Sequence, residues 1–212
     1  LLYDQLVFDE SRSEDARGEE VTRVLAEAAA AAGVQAFADR EELDDFLARV
    51  EFVARTFPEA DFPALGEDDV NACLEKLCEG RRSFAELREA ARAGALVELL
   101  RARLSPEQSR LLSTMAPARV ALKRGRQARV RYERGMPPWV ASRLQDFFGM
   151  REGPKVAGGR VAVVLHLLAP SRRPVQVTTD LAGFWARDYA RVRRELGRRY
   201  PRHAWPEDPL EV

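Results

Sequence analysis

Between residues 19 and 115 the apolar residues recur every three or four positions, which is the period of an amphipathic helix. Glycine and proline residues divide this stretch into segments. Gly33, Gly80 and Gly94 each follow an apolar stripe and are predicted to end helices, and Pro58 is predicted to end another. A further helix is predicted over residues 96–104, which are rich in leucine.

Local capping patterns predict where three of these helices begin. In each pattern, a residue that can accept a hydrogen bond from a free backbone N–H stands three positions before a Glu or Gln. The pairs are Asp39 with Glu42, Ser83 with Glu86, and Ser105 with Gln108. Six short helices with short connections predict a compact helical bundle for the first half of the chain.

The pattern changes to a two-residue alternation near Pro117. Two strands and the turn between them are predicted at residues 119–122, 127–132 and 123–126. In the second strand, Ala128, Val130 and Tyr132 alternate with charged residues. One face of this predicted hairpin is therefore apolar and the other is mainly basic.

The rest of the chain predicts a small mixed unit that ends in a long helix. Its elements are a helix opened by Pro137-Pro138 that carries Trp139, Val140, Leu144, Phe147 and Phe148, a strand at residues 161–168 after the turn Gly158-Gly159, and a strand at residues 175–177 after the turn at residues 170–174. The final amphipathic helix has a predicted buried stripe of Leu181, Phe184, Trp185, Tyr189, Val192 and Leu196, and a packed tail follows at residues 200–209. The predicted fold class is α+β.

Residues 1–8 form an apolar run that predicts one strand or short apolar element. A lone strand is not stable in water, so we expect it to belong to a sheet formed elsewhere, in this chain or in a preceding domain. The predicted organisation has a terminal strand and linker at residues 1–16, a helical region at residues 17–116 and an α+β region at residues 117–212.

The net charge of zero hides two halves of opposite sign. Residues 1–100 contain 24 acidic and 11 basic residues, a net charge of −13, and residues 101–212 contain 10 acidic and 23 basic residues, a net charge of +13. Such an asymmetry is typical of proteins that contact nucleic acid through their basic side. It is equally compatible with basic and acidic surfaces that pair within one molecule.

The predicted hairpin is the strongest local candidate for binding phosphates. It carries Lys123, Arg124, Arg126, Arg129, Arg131 and Arg134 within a dozen residues. A second cluster follows the polar side of the last helix and beyond, at Arg187, Arg191, Arg193, Arg194, Arg198, Arg199 and Arg202. The predicted nucleic-acid-binding residues are Lys123, Arg124, Arg126, Arg129, Arg131, Arg172, Arg173, Arg194 and Arg198. A merely solvated basic face, or one paired with the acidic half, is the alternative.

Catalytic motifs are missing from the sequence. No lysine follows a glycine, so a Walker-type nucleotide site is excluded, and no Gly-x-Ser-x-Gly sequence occurs. His166 is expected to be a core or edge histidine and His203 to make a structural hydrogen bond. The spacing of these histidines with Cys73 and Cys78 makes no zinc motif. We therefore predict no catalytic, cofactor or metal site in this chain.

The cysteines and the hydropathy of the chain predict the cellular compartment in which it is found. Cys73 and Cys78 lie five positions apart in an apolar stretch and predict buried, reduced thiols in a cytoplasmic protein. No run of 18 apolar residues occurs, so no membrane contact is expected.

The last third of the chain resembles a known family. The matching stretches are residues 144–149, 158–161, 165–171, 173–185 and 198–209, which read LQDFFG, GGRV, LHLLAPS, RPVQVTTDLAGFW and RRYPRHAWPEDP. They resemble the C-terminal region of HrpB-type bacterial ATP-dependent RNA helicases, which belong to the DExH (DEAH/RHA-like) class. The resemblance is strong over residues 117–212, while the helical half shares mainly the pattern of the family.

The resemblance implies a larger protein with two RecA-like motor domains, a winged-helix and helical section, and an OB-like fold before this region. Residues 1–8 would then be the last strand of the OB-like module. ATP and Mg²⁺ would bind to the motor domains, because none of the motor motifs occurs in these 212 residues. Two functions stay open for this region: binding of single-stranded RNA or another nucleic acid, and docking onto the motor domains or a protein partner. An independent hydrolase is a third possibility that no motif supports.

Overall fold

The computed structural model describes the backbone of residues 2–3, 6–7 and 18–211, and the side chains of residues 18–123 and 125–211. The chain forms two compact units. The first consists of Leu1–Leu43 and Leu65–Arg103, and the second of Asp44–Ala64 and Leu104–Val212. Helices and small sheets together give the α+β fold that the sequence predicts.

The first unit is mainly helical. Its elements are β1 (Leu2–Tyr3), β2 (Leu6–Val7), α1 (Glu19–Ala32), the first turn of α2 (Arg40–Thr56), α3 (Glu67–Cys78), α4 (Phe84–Arg92) and α5 (Ala95–Arg101). Helix α3 packs against both α1 and α5. Leu25, Leu74, Leu87, Leu96 and Leu100 are buried there and form the core, because each stands on the apolar stripe of its helix.

The beginning of the chain differs from the single strand predicted over residues 1–8. Strands β1 and β2 pair with each other in antiparallel fashion, with Leu2 opposite Val7 and Tyr3 opposite Leu6. The apolar run is therefore divided into two short strands. Its membership of a preceding OB-like module stays a prediction, and the predicted linker at residues 9–16 lies outside the described residues.

Two of the three predicted capping residues, Ser83 and Ser105, act as the sequence predicts, while Asp39 accepts from the backbone N–H of Glu41 at 2.8 Å, one residue before the predicted Glu42. Ser105 accepts a hydrogen bond from the Gln108 backbone N–H at 3.1 Å, and its own N–H donates to the Gln108 side chain at 2.9 Å. Ser83 accepts from the Glu86 backbone N–H at 3.3 Å. These bonds satisfy backbone N–H groups that a helix leaves free at its start. All six predicted helices are confirmed, with α6 spanning Pro106–Met115.

The second unit combines the rest of α2 and α6 with small sheets. Its further elements are β3 (Arg119–Ala121), β4 (Gln127–Arg129), β5 (Trp139–Arg143), β6 (Lys155–Val156), β7 (Val161–Ala162), β8 (Val164–Leu168), β9 (Pro174–Thr178), α7 (Leu181–Arg187) and α8 (Tyr189–Arg199). Strands β3 and β4 form one antiparallel pair, β6 and β7 form another, and the third sheet has the order β5-β8-β9. The turn predicted at Gly158-Gly159 connects β6 to β7. The single strand predicted over residues 161–168 is wrong, because it is divided into β7 and β8, which pair in different sheets.

The predicted helix over residues 139–148 is wrong. Trp139–Arg143 is strand β5, which pairs in parallel with β8, and Leu144–Phe147 is a short 3₁₀ helix. Val140 lies opposite Leu165, and both are fully buried. The parallel partner comes more than twenty residues later in the chain, so a pairing that local spacing does not reveal overrides the helical pattern.

The last apolar stripe is confirmed, although Asp188 divides its helix into α7 and α8. All six predicted stripe residues are buried. The tail packs as predicted: the Tyr189 hydroxyl donates to the Pro206 carbonyl at 2.9 Å, and the Trp205 indole N–H donates to the Tyr200 carbonyl at 3.0 Å.

Candidate nucleic-acid interface

The predicted hairpin forms, with an apolar and a basic face. Val120 lies opposite Ala128 and both are buried, while Arg119 lies opposite Arg129 and both are exposed. Arg119 therefore belongs to the basic face, although the predicted set omits it. The register across the turn would have revealed Arg119, because residues directly opposite in an antiparallel pair point to the same side.

Arg126 is bound by a carboxylate of its own unit. Its Nη1 lies 2.6 Å from Oδ1 of Asp146, whose side chain is only 10% exposed. Asp146 also accepts from the Ser142 hydroxyl at 2.6 Å. The nearly buried carboxylate thus holds the guanidinium in place, which reduces the positive charge that Arg126 can offer to a phosphate.

The next hairpin cations lie near carboxylates of α2. Burial raises the pKa of Asp45, while the positive charges of Arg49, Arg129 and Arg131 and a hydrogen bond from the Tyr132 backbone N–H act against that rise. Arg134 Nε lies 3.7 Å from Glu51 Oε2. These contacts favour self-pairing for this part of the basic face, as the alternative interpretation of the sequence expects.

Lys123 is exposed in the 3₁₀ turn Lys123–Gly125, and the side chain of Arg124 lies outside the described residues.

A second basic surface forms where the β8–β9 turn meets the end of α8. We call it the turn–helix surface, and it consists of Arg172, Arg173, Arg198, Arg199 and Arg202 around Tyr200. The Tyr200 hydroxyl donates to Ser171 Oγ at 2.7 Å, which holds the turn beside the end of the helix. Arg172 adopts a positive φ of 65°, and the turn is closed by its N–H donating to Ala169 at 2.8 Å. The Tyr200–Ser171 hydrogen bond thus brings the turn that carries Arg172 and Arg173 next to the end of the helix that carries Arg198.

The turn–helix surface carries cations that the neighbouring carboxylates do not neutralise. Among the described residues, Arg172, Arg173, Arg198 and Arg202 have no ion pair, and all four side chains are exposed. Arg199 stacks over Tyr200 with its guanidinium 5.7 Å from the ring centre. Two of these arginines also stand in the last turn of α8, where the helix dipole stabilises positive charge.

Most of the remaining arginines of the last helices form ion pairs or hydrogen bonds. Arg187 pairs with Asp180 at 3.0 Å and Arg193 with Glu207 at 3.1 Å. Arg194, a predicted contact residue, donates through Nε to the Ala190 carbonyl at 3.3 Å. Arg191 lies 3.9 Å from Asp188.

The histidines and cysteines show structural contacts. His166 stacks on Trp139 with 4.7 Å between ring centres, and the backbone N–H of His203 donates to Tyr200 at 3.1 Å. Cys73 and Cys78 are buried and free of disulfides. In the part of the chain that the structure describes, no three His, Cys, Asp or Glu side chains are grouped to hold a metal ion. None of the described helices has the length and apolar character needed to cross a membrane.

Comparisons with known proteins agree with the resemblance. A family model described as ATP-dependent helicase C-terminal (HrpB_C) matches residues 73–209. The chain is 33% identical over 171 residues to the ATP-dependent RNA helicase HrpB of Escherichia coli (strain K12), an alignment that covers 81% of this chain and 21% of that protein.

Two solved structures share the fold. The crystal structure of the E. coli DExH-box NTPase HrpB matches with a TM-score of 0.76 and 30% identity, over 97% of this chain and 26% of that one. The crystal structure of the Escherichia coli DEAH/RHA helicase HrpB matches with a TM-score of 0.69 and 29% identity, over 95% of this chain and 25% of that one. The chain thus spans about a quarter or less of the length of these relatives. Since the family model covers well over half of its residues, the chain belongs to the HrpB family of ATP-dependent helicases, as a C-terminal region.

Proposed function

We propose that this region is a non-catalytic accessory region of an ATP-dependent RNA helicase, and that it contributes to binding of single-stranded RNA or another nucleic acid. ATP and Mg²⁺ then act in motor domains outside these residues, and those domains are partners of this region. A cytoplasmic location follows from the same proposal, as does the absence of catalysis within this chain.

The observation that carries the proposal is the turn–helix surface. Its arginines have no ion pair among the described residues, whereas Arg126 and Arg134 of the hairpin are held by carboxylates. A cation that is already paired gains less from a phosphate, because the phosphate must compete with the existing partner. The main phosphate contact is therefore the turn–helix surface rather than the hairpin.

The test is a salt titration of the 212-residue chain with fluorescein-labelled single-stranded RNA, followed by fluorescence anisotropy. Each phosphate contact releases bound counterions, so affinity must fall steeply as salt rises. The double variant Arg173→Ala/Arg198→Ala is expected to bind more weakly. Its slope of log affinity against log salt should be smaller by about 1.4, if two contacts are lost.

The matched control is Arg92→Ala/Arg110→Ala. Both of these arginines are exposed on helices, so the control removes the same net charge from other parts of the surface. It should leave affinity and slope near those of the unchanged chain. Undetectable binding, binding that does not respond to salt, or equal effects of the two double variants would contradict the proposal.

Docking onto the motor domains or a protein partner is the second candidate. The interactions of Asp45 and Glu51 with the hairpin reduce the charge that the hairpin can offer to a phosphate, and so leave room for it. In this case the hairpin charges serve the fold rather than RNA. Neutralising the six hairpin cations in a full-length family member and measuring RNA affinity distinguishes the two. Unchanged affinity there, together with an unaffected Arg173→Ala/Arg198→Ala variant, favours docking.

A further inference from the structure

The hairpin and the three-stranded sheet are joined by one pair of residues. The Arg131 backbone N–H donates to the Trp139 carbonyl at 2.8 Å, and the Trp139 N–H donates to the Arg131 carbonyl at 3.0 Å. The two residues form an isolated antiparallel bridge. The chain after β4 therefore pairs with the start of β5, so that the basic face of the hairpin continues into the sheet β5-β8-β9.

Strand alternation assigns the side chains to the two faces of this sheet. Val140 on β5, together with Leu165 and Leu167 on β8, is fully buried, so these residues mark the inner face. Their neighbours Trp139, His166 and Leu168 point to the opposite side and are half-buried. Val177 of β9 lies opposite His166 and is 52% exposed. The outer face of the sheet is thus open to solvent around Val177.

The rings of Trp139 and His166 are stacked on this outer face, on the neighbouring strands β5 and β8. Their planes are inclined by only 22°, with 4.7 Å between their centres. The indole N–H of Trp139 donates to Glu133 at 3.0 Å, which fixes the orientation of the indole ring. Two flat rings with a fixed direction provide a surface on which a further ring can stack at little entropic cost.

Arginines surround this stack on two sides. Arg131 faces the same side as Trp139, because the two are directly opposite in an antiparallel bridge. Arg129 precedes Arg131 by two positions and lies on the same face, and Arg143 follows Trp139 on that face at the other end of β5. Arginine side chains, two of which (Arg129 and Arg131) also act on the Asp45 carboxylate, therefore border an aromatic and aliphatic surface. This combination suits a strand with flat bases better than an apolar protein segment.

We propose that the outer face of the β5-β8-β9 sheet binds the bases of single-stranded nucleic acid by stacking on the Trp139–His166 pair. This inference rests on the proposed function and adds that the protein contacts the bases of the strand as well as its phosphates. Bases in a duplex are already stacked on one another, so a platform of this kind selects unpaired strands. Asp45 and Glu133 limit the net charge of the face, and stacking rather than charge is then the main source of its affinity.

The test measures how tightly the 212-residue chain binds two labelled single strands of equal length. One carries bases, and the other has the same phosphates with abasic sugars. The unchanged chain should bind the base-bearing strand more tightly. Trp139→Leu should weaken binding of the base-bearing strand about tenfold and leave binding of the abasic strand unchanged. Trp139→Phe keeps an aromatic ring and should retain most of the affinity.

Two further variants keep the test decisive. His166→Leu removes the second ring without touching the strand bridge, so it replaces Trp139→Leu if that variant does not fold. Phe62→Leu removes a half-buried aromatic ring from a segment outside the sheets and should change neither affinity. Equal binding of the two strands by the unchanged chain, or no effect of either ring substitution, would overturn the stacking platform alone. Absence of binding to both strands would overturn the proposed function as well.

Discussion

Arg126 and Asp146 lie twenty positions apart in the chain and are joined by a hydrogen-bonded ion pair of 2.6 Å. Asp146 also accepts from the Ser142 hydroxyl and the Arg143 backbone N–H. One carboxylate therefore ties the turn of the hairpin to the end of β5. The contact explains why Arg126, although it belongs to the basic cluster of the sequence, serves mainly to stabilise the fold.

Asp146→Ala should lower the free energy of unfolding by about 1–3 kcal/mol, because it leaves several donors around a nearly buried position without an acceptor. Arg126→Ala should cost less, at most about 1 kcal/mol, since the guanidinium is largely exposed and its pair resembles a surface ion pair. Urea unfolding followed by circular dichroism measures both. A loss for Arg126→Ala as large as that for Asp146→Ala would contradict this interpretation.

Asp45→Asn should stabilise the chain, or leave it unchanged, at neutral pH. Burial raises the pKa of Asp45 above 3.8 in spite of Arg49, Arg129 and Arg131, so the folded protein holds this proton more tightly than the unfolded chain. Its contribution to stability is therefore full below pH 3.8 and is lost as the pH rises through the folded-state pKa. The asparagine variant lacks this loss.

Melting temperatures measured between about pH 3 and about pH 7 check the Asp45 prediction. The melting temperature of the variant should rise relative to that of the unchanged chain as the pH rises. Asp44→Asn, at the neighbouring exposed position of α2, removes the same charge and is the control. Asp45→Asn should also strengthen RNA binding at the outer sheet face, because Arg129 and Arg131 lose a competing carboxylate.

The sequence predicts best those features that neighbouring residues determine. Ser83 and Ser105 cap their helices through hydrogen bonds that span three residues, so a short stretch of sequence contains both partners. The same holds for the alternation in the hairpin, where Ala128 and Val130 face inwards as predicted. The family resemblance adds the family to which the chain belongs, which no local pattern could supply.

The failures come from pairings between distant residues. Trp139 and Val140 follow two prolines and precede apolar residues at helical spacing, but the strand partner of Val140 is Leu165. Nothing within residues 137–148 indicates that partner. The contact of Asp45 with the hairpin arginines likewise joins residues more than eighty positions apart. The sequence could therefore locate the cations, but their neutralisation depends on tertiary structure.

Cys73 and Cys78 should react slowly with thiol reagents in the folded protein. Burial raises the pKa of both thiols above 9.0, so little thiolate exists at neutral pH. Cys78 also donates through Sγ to the Leu74 carbonyl at 3.3 Å. Ellman's reagent at neutral pH should modify both cysteines rapidly in urea and neither of them rapidly in buffer. Fast modification of either thiol in buffer would contradict the burial of these two side chains in α3.

Two glycines of the last helices should respond in opposite ways to replacement by alanine. Asp180 caps α7 by accepting from the Gly183 backbone N–H at 2.7 Å, and it also pairs with Arg187 at 3.0 Å. Both side chains pass over Gly183, so a methyl group there would clash with the Asp180 carboxylate and the Arg187 guanidinium. Gly197 lies inside α8, and a methyl group there would meet Trp205 Cδ1 at an ordinary contact distance of 3.7 Å.

Gly183→Ala should therefore lower the melting temperature, because Asp180 must give up its cap or its ion pair. Gly197→Ala should raise the stability by about 0.5–1 kcal/mol, since alanine restricts the unfolded chain and favours helix. The Gly183 N–H and Arg187 together lower the pKa of Asp180 below 3.8, so its stabilising effect is present above pH 3.8 and is lost as the pH falls through the lowered pKa. Melting curves in acid should show this loss in the unchanged chain and in Gly197→Ala, and a smaller one in Gly183→Ala. Equal melting temperatures for the two glycine variants would refute the role assigned to the Asp180 cap.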